Sequence, residues 1–100
     1  MSWANNHIAK LKRGETVKFR PHGRSMEGRI ESGQLVTVVP IALGDFKVGD
    51  AVLCKVQGKQ YLHLVKAFRG NQVQIGNNKG YINGWTSVFN VFGKVTNIEA

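Results

Sequence analysis

Ala51-Val52-Leu53-Cys54-Lys55-Val56 is followed by Gln57-Gly58-Lys59, and then by Gln60-Tyr61-Leu62-His63-Leu64-Val65-Lys66-Ala67-Phe68. Two apolar runs rich in β-branched residues, on either side of a short turn with a central glycine, read as a β-hairpin. Alternation along the second run sets Leu62, Leu64, Lys66 and Phe68 on one face and turns His63 to the other, read as the outer one. Cys54, the only cysteine, lies inside the first run and reads as a small buried hydrophobe.

Outward from this hairpin the β pattern continues. Thr16-Val17-Lys18-Phe19-Arg20 alternates, with Val17 and Phe19 inward, until Pro21-His22-Gly23 breaks it. Leu35-Val36-Thr37-Val38-Val39-Pro40 is a continuous run expected as a core strand closed by its proline. Gly44-Asp45 and Gly49-Asp50 mark turns around Phe46-Lys47-Val48. Val73-Gln74-Ile75 and Val91 to Thr96 complete six or seven strands, and Gly76 to Trp85, rich in glycine and asparagine, reads as a loop. Ahead of them, residues 3–13 space Trp3, His7 or Ile8, and Leu11 for one face of a short helix that Gly14 ends. The expected architecture is mostly β: a coiled, partly closed sheet or barrel over residues 16–97, with residues 1–15 as an N-terminal extension of a single domain spanning 1–100.

Composition narrows the function classes. At 100 residues and 42% hydrophobic content the chain suits one small folded domain rather than a disordered one. The longest nearly apolar run, Leu35 to Leu43, is far short of the roughly 20 residues a membrane-spanning helix needs. The first residues carry no basic-then-apolar leader pattern, and one cysteine fits a reducing compartment, so a cytoplasmic protein is expected. Net charge is +8, and residues 1–29 hold seven bases against Glu15 and Glu27, which is +5 of it. That edge suits a phosphate-binding face, a track for an acidic peptide, or a solvated basic surface. Nucleic acid is the less favoured partner, because the aromatic residues do not form the interleaved basic–aromatic stripe of a single-strand binder. No metal or cofactor is expected: His7, His22 and His63 lack ligand spacing, and a lone cysteine adds no zinc site.

The chemistry-bearing segment is His22-Gly23-Arg24-Ser25-Met26-Glu27-Gly28-Arg29-Ile30. Glycines on both sides of Ser25 permit a sharp bend, and exposed main-chain N–H groups in a bend can hold an oxyanion. A serine hydroxyl needs a base to become a nucleophile. Lys66, sharing its expected face with two leucines and a phenylalanine, would be desolvated there. Burial disfavours its charge and would leave a neutral amine able to accept the serine proton. A lysine at the end of an apolar strand otherwise reaches out to water.

Gly23-Arg24-Ser25-Met26, followed by Ile30, Gly33 and Leu35-Val36-Thr37-Val38, resembles the nucleophile motif of the LexA/signal-peptidase superfamily of serine–lysine peptidases. Phe46 to Leu53 looks like that superfamily's Gly-Asp-apolar strand. Leu64-Val65-Lys66 lies where its general-base lysine is expected, about forty residues past the serine, and Gly76-Asn77-Asn78 is similar to the strand end and loop that follow. The resemblance spans residues 16–97. It implies a β peptidase fold, Ser25 as nucleophile, Lys66 as general base, the main-chain N–H groups of Arg24 and Ser25 as oxyanion hole, and Met26 in a substrate pocket. The chain departs from the pattern at Gly28, where signal peptidases carry proline, at Gly33-Gln34 in place of Gly-Asp, and at Ala67 in place of arginine. Gly23 stands where a second, oxyanion-binding serine is often found. About fifteen residues precede the matching region, and the Ala-Gly and Cys-Gly pairs that LexA-like proteins cut in themselves are absent from the sequence. The expectation is therefore a standalone serine endopeptidase acting in trans on a protein or peptide. The alternative is a peptidase-like module that binds a peptide strand or nucleic acid without cutting.

Overall fold

The computed structural model describes residues 3–41 and 45–100. It contains one helix, α1 (Asn5–Lys12), and the strands β1 (Val17–Phe19), β2 (Leu35–Pro40), β3 (Ala51–Val56), β4 (Lys59–Arg69), β5 (Gln72–Gly76), β6 (Ile82–Ser87) and β7 (Val91–Glu99), with a single 3-10 turn at Val88–Asn90. The seven strands form one antiparallel sheet in the order β1-β2-β7-β3-β4-β5-β6. The sheet is strongly coiled but not closed into a barrel, as the sequence pattern leads one to expect. No described helix is long and apolar enough to cross a membrane.

The short helix also forms where its spacing predicts. Ile8 and Leu11 are buried, Lys10 and Lys12 sit in the last turn where their charge favours the free carbonyls, and the Gly14 N–H closes the end on the Leu11 carbonyl. The residues that carry α1 do not stand apart from the β region. Ala4, Ile8 and Leu11 enter one hydrophobic cluster with Val17, Met26, Ile30, Val36, Val38, Leu53, Leu62 and Leu64. Gly93 of β7 makes this approach possible: a Cβ there would stand 2.7 Å from Val38 Cγ1, 2.8 Å from the Val39 carbonyl oxygen and 3.0 Å from Leu11 Cδ1.

A second cluster joins Val52, Cys54 and Val56 of β3 to Val65, Val73, Ile75, Phe46, Val88 and Val91. Strands β3 and β4 therefore form a wall between two cores, with Ala51 and Leu53 facing one and Val52 and Cys54 the other. A strand covered on both sides reads as a continuous apolar run instead of an alternating one, which is the pattern of Ala51–Cys54. Cys54 is wholly buried, and burial pushes its thiol up to about 12, so it is an inert hydrophobe.

Ladder irregularities coil the sheet. Register shifts fall between Thr37 and Val38, Leu53 and Cys54, Val65 and Ala67, and Ile75 and Gly76. Each bends a strand and increases its twist. The coil brings β6 back over β3, and an added Cβ on Gly84 would lie 3.6 Å from Val56 Cγ1.

Two sequence expectations need correction. Gly76 to Trp85 is not one loop, because Ile82–Ser87 is a strand paired with β5. The turn is confined to residues 77–80, where the Asn77 side chain accepts from the Lys79 and Tyr81 N–H groups and its own N–H donates to the Tyr81 carbonyl. Phe46-Lys47-Val48 has no ladder partner among the described residues and runs into a turn that the Asp50 N–H closes on the Lys47 carbonyl, and Gly44 of the expected Gly44–Asp45 turn lies outside the described residues.

Candidate active site

Ser25 stands on the connection between β1 and β2. The base of this loop is pinned by the Gly33 N–H donating to the Pro21 carbonyl (2.8 Å), by Arg20 Nη1 donating to the Gly33 carbonyl (2.8 Å), and by the Gly23 N–H donating to Ser32 Oγ (3.1 Å). At its middle, Met26 and Ile30 are buried in the first cluster and act as plugs, while Ser25 itself is exposed. Tight turns connect these points. The Arg29 and Ile30 N–H groups donate to the Met26 carbonyl, and Gly28 adopts φ +94.

The β5–β6 turn holds the loop from the other side. The Asn78 N–H donates to the Ser25 carbonyl (3.0 Å), and Asn78 Nδ2 donates to the Glu27 carbonyl (2.7 Å). Glu27 forms ion pairs with Lys79 and Arg24, both at 2.9 Å, and these hydrogen bonds, Lys79 first, hold its carboxyl below the usual range. Gly28 is required twice over. Its backbone is left-handed, and a Cβ would come within 2.9 Å of Asn78 Nδ2.

The Ser25 hydroxyl meets a histidine. His63 Nε2 lies 3.1 Å from Ser25 Oγ, and His63 Nδ1 lies 2.7 Å from Asn83 Oδ1. An amide oxygen can only accept, so Nδ1 carries the hydrogen and Nε2 presents its lone pair to the serine hydroxyl. Burial is the main cause that lowers the His63 pKa from 6.5. The nearby Lys66 charge lowers it further, against the raising effect of the Asn83 hydrogen bond. The imidazole is therefore neutral at pH 7 and in the tautomer a general base requires. Tyr61 stacks on it at 4.9 Å between ring centroids.

This position corrects the reading of His63 as an outer-face residue: it is only 8% exposed. Alternation does turn His63 away from Leu62 and Leu64, but there its ring meets Asn83, Ser25 and Tyr61. Lys66 differs from its expected setting too. It is the unpaired residue of the bulge between Val65 and Ala67, so the regular alternation with Leu62 and Leu64 stops there. Lys66 is half-buried, with its Cε against Gly76, and Phe68 is 42% exposed. The Ser25 hydroxyl has its side-chain hydrogen bond with His63.

The remaining candidates gather around a groove of about 510 Å³, whose lining includes Ser25, Met26, His22 and His63. Met26 serves both as plug and as part of the groove wall. Among the described residues, the Arg24 and Ser25 main-chain N–H groups donate to no protein acceptor, which leaves them free for an oxyanion. No group of three or more His, Cys, Asp or Glu side chains among the described residues could hold a metal.

The comparison with protein-family models finds no match for the chain, and the comparison with curated proteins finds none either.

Alternation assigns His63 to an outer face, and the glycine- and asparagine-rich stretch places Asn83 in a loop; neither reading gives them a part in the site. A signal for the histidine was present: a lone polar residue inside Leu62-His63-Leu64-Val65 implies a buried group with a partner. Asn83 carried no comparable signal among its glycine and asparagine neighbours.

Proposed function

We propose that the chain is a serine endopeptidase in which Ser25 is the nucleophile, His63 the general base and Asn83 the residue that orients the imidazole. The observation that carries this reading is the chain of contacts Ser25 Oγ–His63 Nε2 and His63 Nδ1–Asn83 Oδ1. It has the logic of a catalytic triad with an amide as third member.

Ser25 Oγ attacks the scissile carbonyl while His63 Nε2 takes its proton. The Arg24 and Ser25 N–H groups receive the oxyanion. The imidazolium then protonates the departing amine, leaving an acyl-enzyme on Ser25. Water attacks that ester as His63 takes its proton, and the proton returns to Ser25 Oγ as the acid leaves. The substrate binds as an extended strand. β3 pairs with β4 from Lys59 to Leu64, but β5 joins β4 only from Leu64 onward. Among the described residues, the second edge of Gln60 to His63 is therefore unpaired, and these residues line the groove beside Ser25. The free thiol of Cys54 suits action in the cytoplasm.

The test is cleavage of a peptide library by the wild-type chain and three variants. Ser25→Ala should abolish cleavage, and His63→Ala should lower kcat/KM by roughly 10²–10⁴-fold. Lys66→Ala should keep most activity. Because the Lys66 charge depresses the His63 pKa, its removal should move the acidic limb of the pH–rate profile upward from a midpoint below 6.5. Loss of cleavage in Lys66→Ala with little change in His63→Ala would instead assign the base to Lys66.

A further inference from the structure

The groove extends well past the reacting groups, and α1 supplies part of its wall. Trp3, His7 and Phe19 line it together with Ser25 and His63. Their rings form one cluster: His7 stacks on Phe19 at 4.3 Å, and Trp3 tilts against Phe19 at 5.7 Å and against His7 at 6.4 Å. The core beneath the helix is already filled by Ala4, Ile8 and Leu11. Trp3 remains 53% exposed. An indole left in water beside a groove is available to a ligand.

We propose that Trp3, His7 and Phe19 form a side-chain subsite that selects peptides carrying an aromatic or large aliphatic residue near the scissile bond. The proposal rests on the peptidase reading of the same groove. Four observations support it. The helix is held against the groove floor by Gln60 Nε2 donating to Asn5 Oδ1 at 2.6 Å, so the subsite is preformed. The groove's charged lining side chains are engaged by the loop itself: Arg20 donates to the Gly33 carbonyl, and Glu31 accepts from the Gly28 N–H at 2.8 Å. Met26, Ile30 and Leu62 supply apolar wall. The His7 pKa is lowered, first by burial and then by the Lys10 charge, so its ring is neutral at pH 7 and adds no charge to the stack.

Two pentapeptides, acetyl-Ala-Ala-Phe-Ala-Ala-amide and acetyl-Ala-Ala-Ala-Ala-Ala-amide, test the subsite on the Ser25→Ala protein, which needs no turnover. The phenylalanine peptide should bind about tenfold more tightly. It should also shift the indole N–H resonance of Trp3 and leave that of Trp85, which packs on Arg69, in place. Trp3→Ala, at an exposed position ahead of the helix, should bring the two affinities together. Equal affinities for the Ser25→Ala protein, or a preference that survives Trp3→Ala, overturn the subsite. Wild-type cleavage is scored separately: cleavage without the binding preference keeps the peptidase reading and removes the subsite. The preference without cleavage does the reverse.

Discussion

The two sides of the candidate site are held by different means. His63 stands on β4, paired with Val52 of β3, and Asn83 is the bulged residue of β6 between Ile82 and Gly84, so the strands and the buried core beside them settle their positions. Ser25 stands on a loop whose shape depends on turn bonds, two side-chain plugs and the grip of Asn78. The base is thus as stable as the sheet, while the nucleophile depends on a few local ties. A protein built this way can lose its chemistry without losing its fold, because a displacement of about 1 Å at a reacting group can cost on the order of 100-fold in rate.

The strongest way to break this contrast is to weaken the sheet beneath the base. Ile75 is wholly buried and pairs with Val65 on one side and Gly84 on the other. Ile75→Ala should lower global stability by about 2–5 kcal/mol, read from the urea midpoint, because a cavity opens where the core cannot collapse. Asn78→Ala sharpens the contrast. It removes the bond to the Glu27 carbonyl but keeps the main-chain bond to Ser25, at a net stability cost of about 1 kcal/mol. Cleavage should fall roughly tenfold in kcat, with the pH midpoint of His63 unmoved. A change in that midpoint would mean that the loop and the strands are not separable. The smallest effect belongs to Lys79→Ala. Its ion pair with Glu27 lies at the surface, so the urea midpoint should stay where it is.

Much of the fold was legible because its signals are local. Leu35–Pro40 and Ala51–Val56 are strands with the bounds their composition suggests, and Gln57-Gly58 forms the turn between β3 and β4. The helix ends where Gly14 predicts. The strand Ile82–Ser87 was hidden because glycines and asparagines that signal turns also occur inside a bulged strand, as at Gly84 with φ +138. Of the candidate site, the Ser25 loop was readable from its flanking glycines. Its partners were not, since alternation reports which face a residue takes but not what covers that face.

By itself, then, the amino-acid sequence determined a coiled β sheet, a short helix, and a serine in a glycine-flanked bend. Only the tertiary structure decided which group meets that serine. Ser25 and His63 are 38 positions apart, and His63 and Asn83 are 20 apart. Their meeting depends on bulges that bend β4 to β6 back over β3, and each bulge shifts the faces of every residue after it. A period of two residues is written in the chain. The places where that period is interrupted are set by packing between distant strands, and those interruptions take Lys66 out of the regular alternation and bring Asn83 to His63.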